Sequence, residues 1–264
     1  MDYFIDDLEG KQSSSRLILQ SWASLKESFL PKLLHANGYQ LLNYGLCDFK
    51  NANVTTTHYF ADYEERVLFE ETIYGRIKRD IWWKVLNYLP GSFSSYTEEE
   101  RLVEKNAYLL RDKQNFDSIL SSLKTTTANP RFIFGHLMLP HAPFYYDRSG
   151  NQFPDTLQRS YYDKYYFTEQ LQYTNGLISQ LINAASPPSN RPRVIIIAGD
   201  HGFRIPGSGQ SRKSNFENLA GFYSSRDRLE VHSTISPVNY FRVVLNNYFG
   251  TKLPQLSDST ILLQ

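Results

Sequence analysis

The sequence predicts an α/β fold, a mostly parallel sheet flanked by helices, on three observations. Two short runs rich in β-branched and aromatic residues, 131–139 (Arg-Phe-Ile-Phe-Gly-His-Leu-Met-Leu) and 193–198 (Arg-Val-Ile-Ile-Ile-Ala), have the continuous apolar character of strands covered on both faces. Long stretches of helical period separate them. The order strand, helix, strand recurs along the chain. At 264 residues the whole chain, 1–264, reads as a single α/β domain able to bury a substantial core.

Residues 14–36 place Leu17, Trp22, Leu25, Phe29, Leu33 and Leu34 at helical spacing, with Pro31 as a kink and Gly38 as the cap. Residues 39–46 have strand character, and 48–62, including His58, are polar enough for a surface loop. Residues 64–89 carry the stripe Val67, Leu68, Ile73, Ile77, Ile81, Val85 and Leu86, which stops at Pro90-Gly91. The bases Arg76, Lys78 and Arg79 interleave with Glu70, Glu71 and Asp80, the pattern of a solvated face.

Thr97-Glu98-Glu99-Glu100 is a capping box and predicts that a third helix opens there, with Leu102, Leu109, Phe116, Ile119, Leu120 and Leu123 turned to the core. Asn129-Pro130 breaks the pattern before strand 131–139. Within that strand His136 shares a face with Phe134 and Met138 and reads as a hydrogen-bonded core histidine. Pro140-His141-Ala142-Pro143-Phe144 follows as a loop that its prolines make rigid. Residues 156–185 predict a long helix, and 186–190 a linker to strand 193–198. After the Gly-Ser-rich loop 203–214 come a short strand, 219–223, and a closing helix that Ser236-Pro237 opens and Gly250 caps.

Composition removes several function classes. Lys+Arg 28 against Asp+Glu 27 leaves no basic field for nucleic acid. Cys47 is the only cysteine, which excludes an internal disulfide framework and a cysteine-based zinc cluster. No apolar run approaches the ~20 residues of a membrane span, so the expectation is a soluble chain as given. The tyrosine pairs Tyr145-Tyr146, Tyr161-Tyr162 and Tyr165-Tyr166 read as packing residues with their hydroxyls at the surface.

The chemistry concentrates where strand 193–198 ends. Asp200 and His201 offer one hard oxygen and one imidazole nitrogen, a pair suited to a divalent metal, and Gly199 and Gly202 leave room beside them. His141, held between prolines, is suited to an anionic oxygen or a second metal. Arg204 and Lys213 lie in the following loop and are candidates to neutralise a phosphate or sulfate. His232 has no spacing that demands a role.

Three pieces carry a resemblance: Gly199-Asp200-His201-Gly202 after an apolar strand, the upstream Phe-Gly-His-Leu-Met-Leu-Pro-His-Ala-Pro-Phe, and the downstream Lys-Ser-Asn-Phe-Glu of 213–217. Together they resemble the sulfatase-like branch of the alkaline phosphatase superfamily. The closing Ile-Ser-Pro-Val-Asn-Tyr-Phe-Arg-Val-Val-Leu of 235–245 resembles the end of membrane-anchored bacterial members. The resemblance implies an alkaline-phosphatase-like fold and metal-assisted hydrolysis or transfer of a sulfate or phosphate ester, with a small anionic, lipid or glycan substrate. Asp200 and His201 would then hold a divalent ion (Zn, Mn, Mg or Ca), while His141 and Lys213, with Arg204 on a weaker claim, would hold the ester's anionic oxygens.

The family's nucleophile, a Ser, Thr or modified Cys, has no counterpart that can be carried over. Asp6-Asp7 imitates its acidic pair, yet residues 13–15 follow too closely. The chain therefore reads as the carboxyl-terminal part of a family member, with any membrane link and any extracytoplasmic placement resting on a preceding region. The alternative expectation is a non-catalytic remnant that serves as a binding module.

Overall fold

A computed structural model describes residues 20, 23–45, 48–55, 72–77, 92–154, 163–186, 191–203, 216–226 and 229–258. They fall in two compact units, Met1–Met138 and Leu139–Gln264. Most of the expected helix 64–89, His58, the acidic pair Asp6-Asp7, residues 13–15, and both Arg204 and Lys213 lie outside the described residues.

In the first unit, α1 (Phe29–Ala36) starts after Ser28, whose backbone is extended. Pro31 thus falls in the first turn of a new helix, where an N–H has no intrahelical acceptor, and it makes no kink. The break comes three residues earlier than expected. Pro31 and Leu34 are buried, whereas Leu25 and Phe29, expected inside, are exposed. Gly38 takes the left-handed conformation (φ 78°) that turns the chain into β1 (Gln40–Tyr44).

β1 is the centre of a three-stranded sheet of order β2-β1-β3, with both pairings parallel. β2 (Val54–Thr55) lies in the stretch expected to be only loop. Asn53 accounts for it: its Oδ1 accepts from Leu41 N at 2.7 Å and its own N–H donates to Leu41 O at 2.8 Å, which fixes the next two residues beside β1. The turn α2 (Ile73–Arg76) carries Ile73 and, just beyond it, Ile77; both are exposed, contrary to their place in a core stripe.

α3 (Ser92–Lys124) is 33 residues long and already helical five residues before Thr97, so the Thr97 capping box lies in its interior and starts nothing. Its buried face includes Leu109, Asp112, Asn115, Phe116 and Ile119. Two of these are polar, and they shape β3 (Arg131–Gly135), which pairs with β1 from Gln40↔Arg131 to Tyr44↔Gly135. Past Gly135, Asn115 Nδ2 donates to His136 O at 3.5 Å and Asp112 Oδ1 accepts from Met138 N at 2.8 Å. These side chains take backbone groups that a longer ladder would use, so the strand ends four residues before Leu139. His136 is a half-buried residue just beyond the sheet, not one within it.

The second unit opens with the 139–154 loop and α4 (Lys164–Ala185), capped by Asp163, whose side chain accepts from Tyr165 N at 2.9 Å. β4 (Val194–Ala198) pairs antiparallel with β5 (Ala220–Ser224), from Val194↔Ser224 to Ala198↔Ala220. The sequence led us to expect β4 in a parallel sheet with both faces covered. Among the described residues its partner is instead the antiparallel β5, and β4 is only half-buried.

α5 (Pro237–Tyr248) begins after Ser236 and is followed by Gly250 at φ 63°, as its sequence predicts. The core of this unit joins Leu229, Ile235, Tyr240 and Val243 to Val194, Ile196 and Phe222 of the hairpin. Each such side chain contributes about 1.5–3 kcal/mol when fully buried. Residues 251–258 lie along α5 on two asparagines one heptad apart. Asn246 Oδ1 accepts from Leu253 N (2.8 Å) and its Nδ2 donates to Leu253 O (2.9 Å), and Asn239 makes the same pair of bonds with Leu256 (2.9 and 2.8 Å).

Candidate functional site

Asp200 and His201 sit where β4 ends. The turn is fixed by its neighbours: Gly199 N donates to Leu219 O at 2.9 Å, and Gly199 O accepts from Asn218 Nδ2 at 2.6 Å. Asp200 Oδ1 accepts from His201 N at 2.9 Å, and the Asp200 side chain is 83% exposed. His201 Nδ1 lies 2.7 Å from Gly202 O. A carbonyl only accepts, so this bond puts the proton on Nδ1 and leaves the Nε2 lone pair outward, the arrangement that metal-binding histidines use.

His201 Nε2 and Asp200 Oδ1 are 3.9 Å apart. Two such donors on one tetrahedral ion stand roughly 3.4 Å apart, taking ordinary metal–ligand distances. A small side-chain rotation closes that gap, so the donor pair fits a divalent ion as two of its ligands. Among the described residues, no group of three His, Cys, Asp or Glu is placed to hold one.

His141 is exposed on the loop that follows β3, and its Nδ1 is engaged by Ala142 O. By the same reasoning its Nε2 carries the lone pair of the neutral ring. The loop backbone is held from α4. Gln170, 0% exposed, accepts through Oε1 from Tyr145 N (2.7 Å) and Tyr146 N (3.3 Å) and donates through Nε2 to Pro140 O (3.2 Å) and His141 O (2.9 Å).

Beside it, buried Glu169 accepts from Arg148 N at 3.1 Å and Arg148 Nε at 2.9 Å. The Arg148 side chain, then its backbone N–H, hold the Glu169 carboxyl below its usual range. Asp147 is lowered likewise, first by the Asn151 side chain and then by the backbone of the same turn.

The loop of His141 and the turn of His201 meet the same helix. Phe167 of α4 stacks on Phe203 with ring centroids 4.0 Å apart, and meets Phe144 edge-on at 5.9 Å. Phe203 is two residues beyond His201, and Phe144 three beyond His141. Phe167 and Gln170, one turn apart, therefore contact the segments that carry both candidate histidines. Sequence reasoning missed this, because 167 and 170 read only as members of a helical stretch. The signal in the chain was a glutamine among inward-facing positions.

Arg204 and Lys213 lie outside the described residues. His232 belongs elsewhere: its Nε2 is 3.0 Å from Asp258 Oδ2 and its Nδ1 is 3.1 Å from Thr234 Oγ1. It lines an open groove of about 860 Å³ with residues 222–224, 226 and 229–231; among the described candidate site residues, none of His141, Asp200 and His201 borders it.

A family model described as Sulfatase matches residues 12–224, well over half of the chain. No curated protein and no solved structure matches it.

Proposed function

The chain belongs to the sulfatase family, within the sulfatase-like branch of the alkaline phosphatase superfamily, and from that premise we propose that it carries the metal- and anion-binding part of a site for hydrolysis or transfer of a sulfate or phosphate ester. The observation that carries this reading is the Asp200–His201 pair, two donors 3.9 Å apart with the imidazole tautomer set by Gly202.

Asp200 and His201 would hold a divalent ion, and the ion would supply Lewis-acid stabilisation of charge on the ester oxygens. His141 presents Nε2 from a fixed loop; protonated, it donates to an anionic oxygen or puts a proton on the leaving-group oxygen. Lys213 and, with a smaller share, Arg204 neutralise the sulfate or phosphate, in keeping with their place in the loop after His201. The packing of Phe144, Phe167 and Phe203 supports the reading by tying the two loops to one helix.

Calorimetric titration with Mn²⁺ and with Zn²⁺, alongside hydrolysis of p-nitrophenyl sulfate and phosphate, tests this. Stoichiometric metal binding lost in Asp200→Ala, with at least a tenfold weaker response to sulfate in His141→Ala, is expected. No metal uptake, or uptake indifferent to Asp200→Ala, sinks the reading. Anion binding that depends on His141 with no ester cleavage under any metal instead favours a binding module.

A further inference from the structure

We propose that Gln170 is a positioning residue for His141, setting the place of its imidazole through the backbone of the 140–146 loop. The inference rests on the reading of His141 as an anion-holding residue and adds to it the group that aims it.

The side chain of Gln170 is completely buried, and all four of its ordinary hydrogen-bonding positions are taken by one loop: two backbone N–H groups at its far end and two carbonyls at its near end, one of them His141's own. Only a carboxamide can serve all four at once. A carboxylate there keeps the acceptor for Tyr145 and Tyr146 but turns a second oxygen toward the carbonyls of Pro140 and His141. An aliphatic side chain leaves four backbone groups without a partner.

The Gln170 main chain is itself fixed, since Thr174 Oγ1 donates to Gln170 O at 2.8 Å in the helix interior. On the neighbouring position Glu169 anchors the loop's continuation at Arg148, and one turn back Phe167 packs on Phe144. His141 itself is exposed, and its ring contact is to the adjacent Ala142 O, within the same loop. The position of its Nε2 is therefore inherited from the loop backbone, and the loop backbone from Gln170. A displacement of about an ångström at a group that meets a reacting anion costs on the order of a hundredfold in rate.

The test uses the whole chain in three variants, Gln170→Glu, Gln170→Asn and His141→Ala. It reads the imidazole NMR resonances of His141 with their pH titration, sulfate affinity by calorimetry, and Mn²⁺ affinity. Gln170→Glu is expected to move the His141 resonances and titration midpoint and to weaken sulfate binding about tenfold or more, with Mn²⁺ affinity unchanged.

Gln170→Asn, which keeps both functional groups on a shorter arm, is expected to recover part of the loss. The double variant Gln170→Glu/His141→Ala should bind sulfate no more weakly than His141→Ala alone. If Gln170→Glu does not fold, Gln170→Asn carries the test through the same His141 signals. A lowered unfolding temperature with His141 resonances, titration and sulfate affinity all unmoved overturns the proposal. Moved His141 signals in Gln170→Glu, together with sulfate binding indifferent to His141→Ala, uphold the positioning and reject the anion-holding reading.

Discussion

Two glycines at positive φ show how differently the same backbone requirement can be enforced. Gly38 (φ 78°) has open space where a Cβ would stand, whereas a Cβ on Gly150 (φ 85°) would lie 2.7 Å from the ring of Tyr173. Gly38→Ala meets only the left-handed conformational cost of about 1–2 kcal/mol. Gly150→Ala adds a ring collision in a turn that Asp147 already fixes through Ser149 N and Asn151 N. Urea unfolding should rank Gly150→Ala as the more destabilising by about 1 kcal/mol or more. At this scale the chain was legible where a residue's conformation is announced by its type, as at Gly38 and Gly250. It was opaque where a common residue acquires its role from what it faces, as with Gln170, Asp112 and Asn115.

Elements were readable in proportion to how locally they are determined. α5 has its whole specification in Ser236, Pro237 and Gly250, and it came out as read. β2 depends on one side chain, Asn53, reaching back twelve residues to Leu41, and the end of β3 depends on two side chains of α3; no periodicity contains either.

The C-terminal stretch on α5 carries a pH dependence. The Ser236 hydroxyl first, then its backbone N–H, with Asn239 and His232 after them, hold the Asp258 carboxyl below its usual range. Because the folded value is the lower one, this contribution is complete above the ordinary aspartate range and disappears as pH falls through the depressed value. Amide protection factors at Leu253 and Leu256 should drop over that acidic window in the native chain. In Asp258→Asn they should be low already at neutral pH and change little with acid.

For the molecule as a whole, the α/β class was visible in the alternation of apolar runs and helical stretches, and the family in the co-occurrence of 199–202 with the segments upstream and downstream of it. The handedness of pairing was not. The β4 run reads the same whether its neighbour is parallel or antiparallel, because an apolar composition carries no strand direction, and only the register with β5 shows which it is.

A ligand that binds only the native state stabilises it by about 2.7 kcal/mol at a hundred times its Kd. A divalent ion held by Asp200 and His201 should therefore raise the thermal midpoint by a few degrees at saturating Mn²⁺. Asp200→Ala should melt at one temperature with or without the ion, as followed by calorimetry.

The seating of two loops on a single turn of α4 restricts how such a chain can change over generations. Each residue added to a helix swings everything beyond it by about 100°. Either loop can grow at its tip and leave the helix undisturbed. One residue gained or lost between Phe167 and Gln170 would swing the amide seat about 100° from its present direction relative to the aromatic seat, and the two loops would lose their common reference. Lineages descending from this chain should thus scatter their insertions among the loops and keep the count of residues from Phe167 to Gln170 constant.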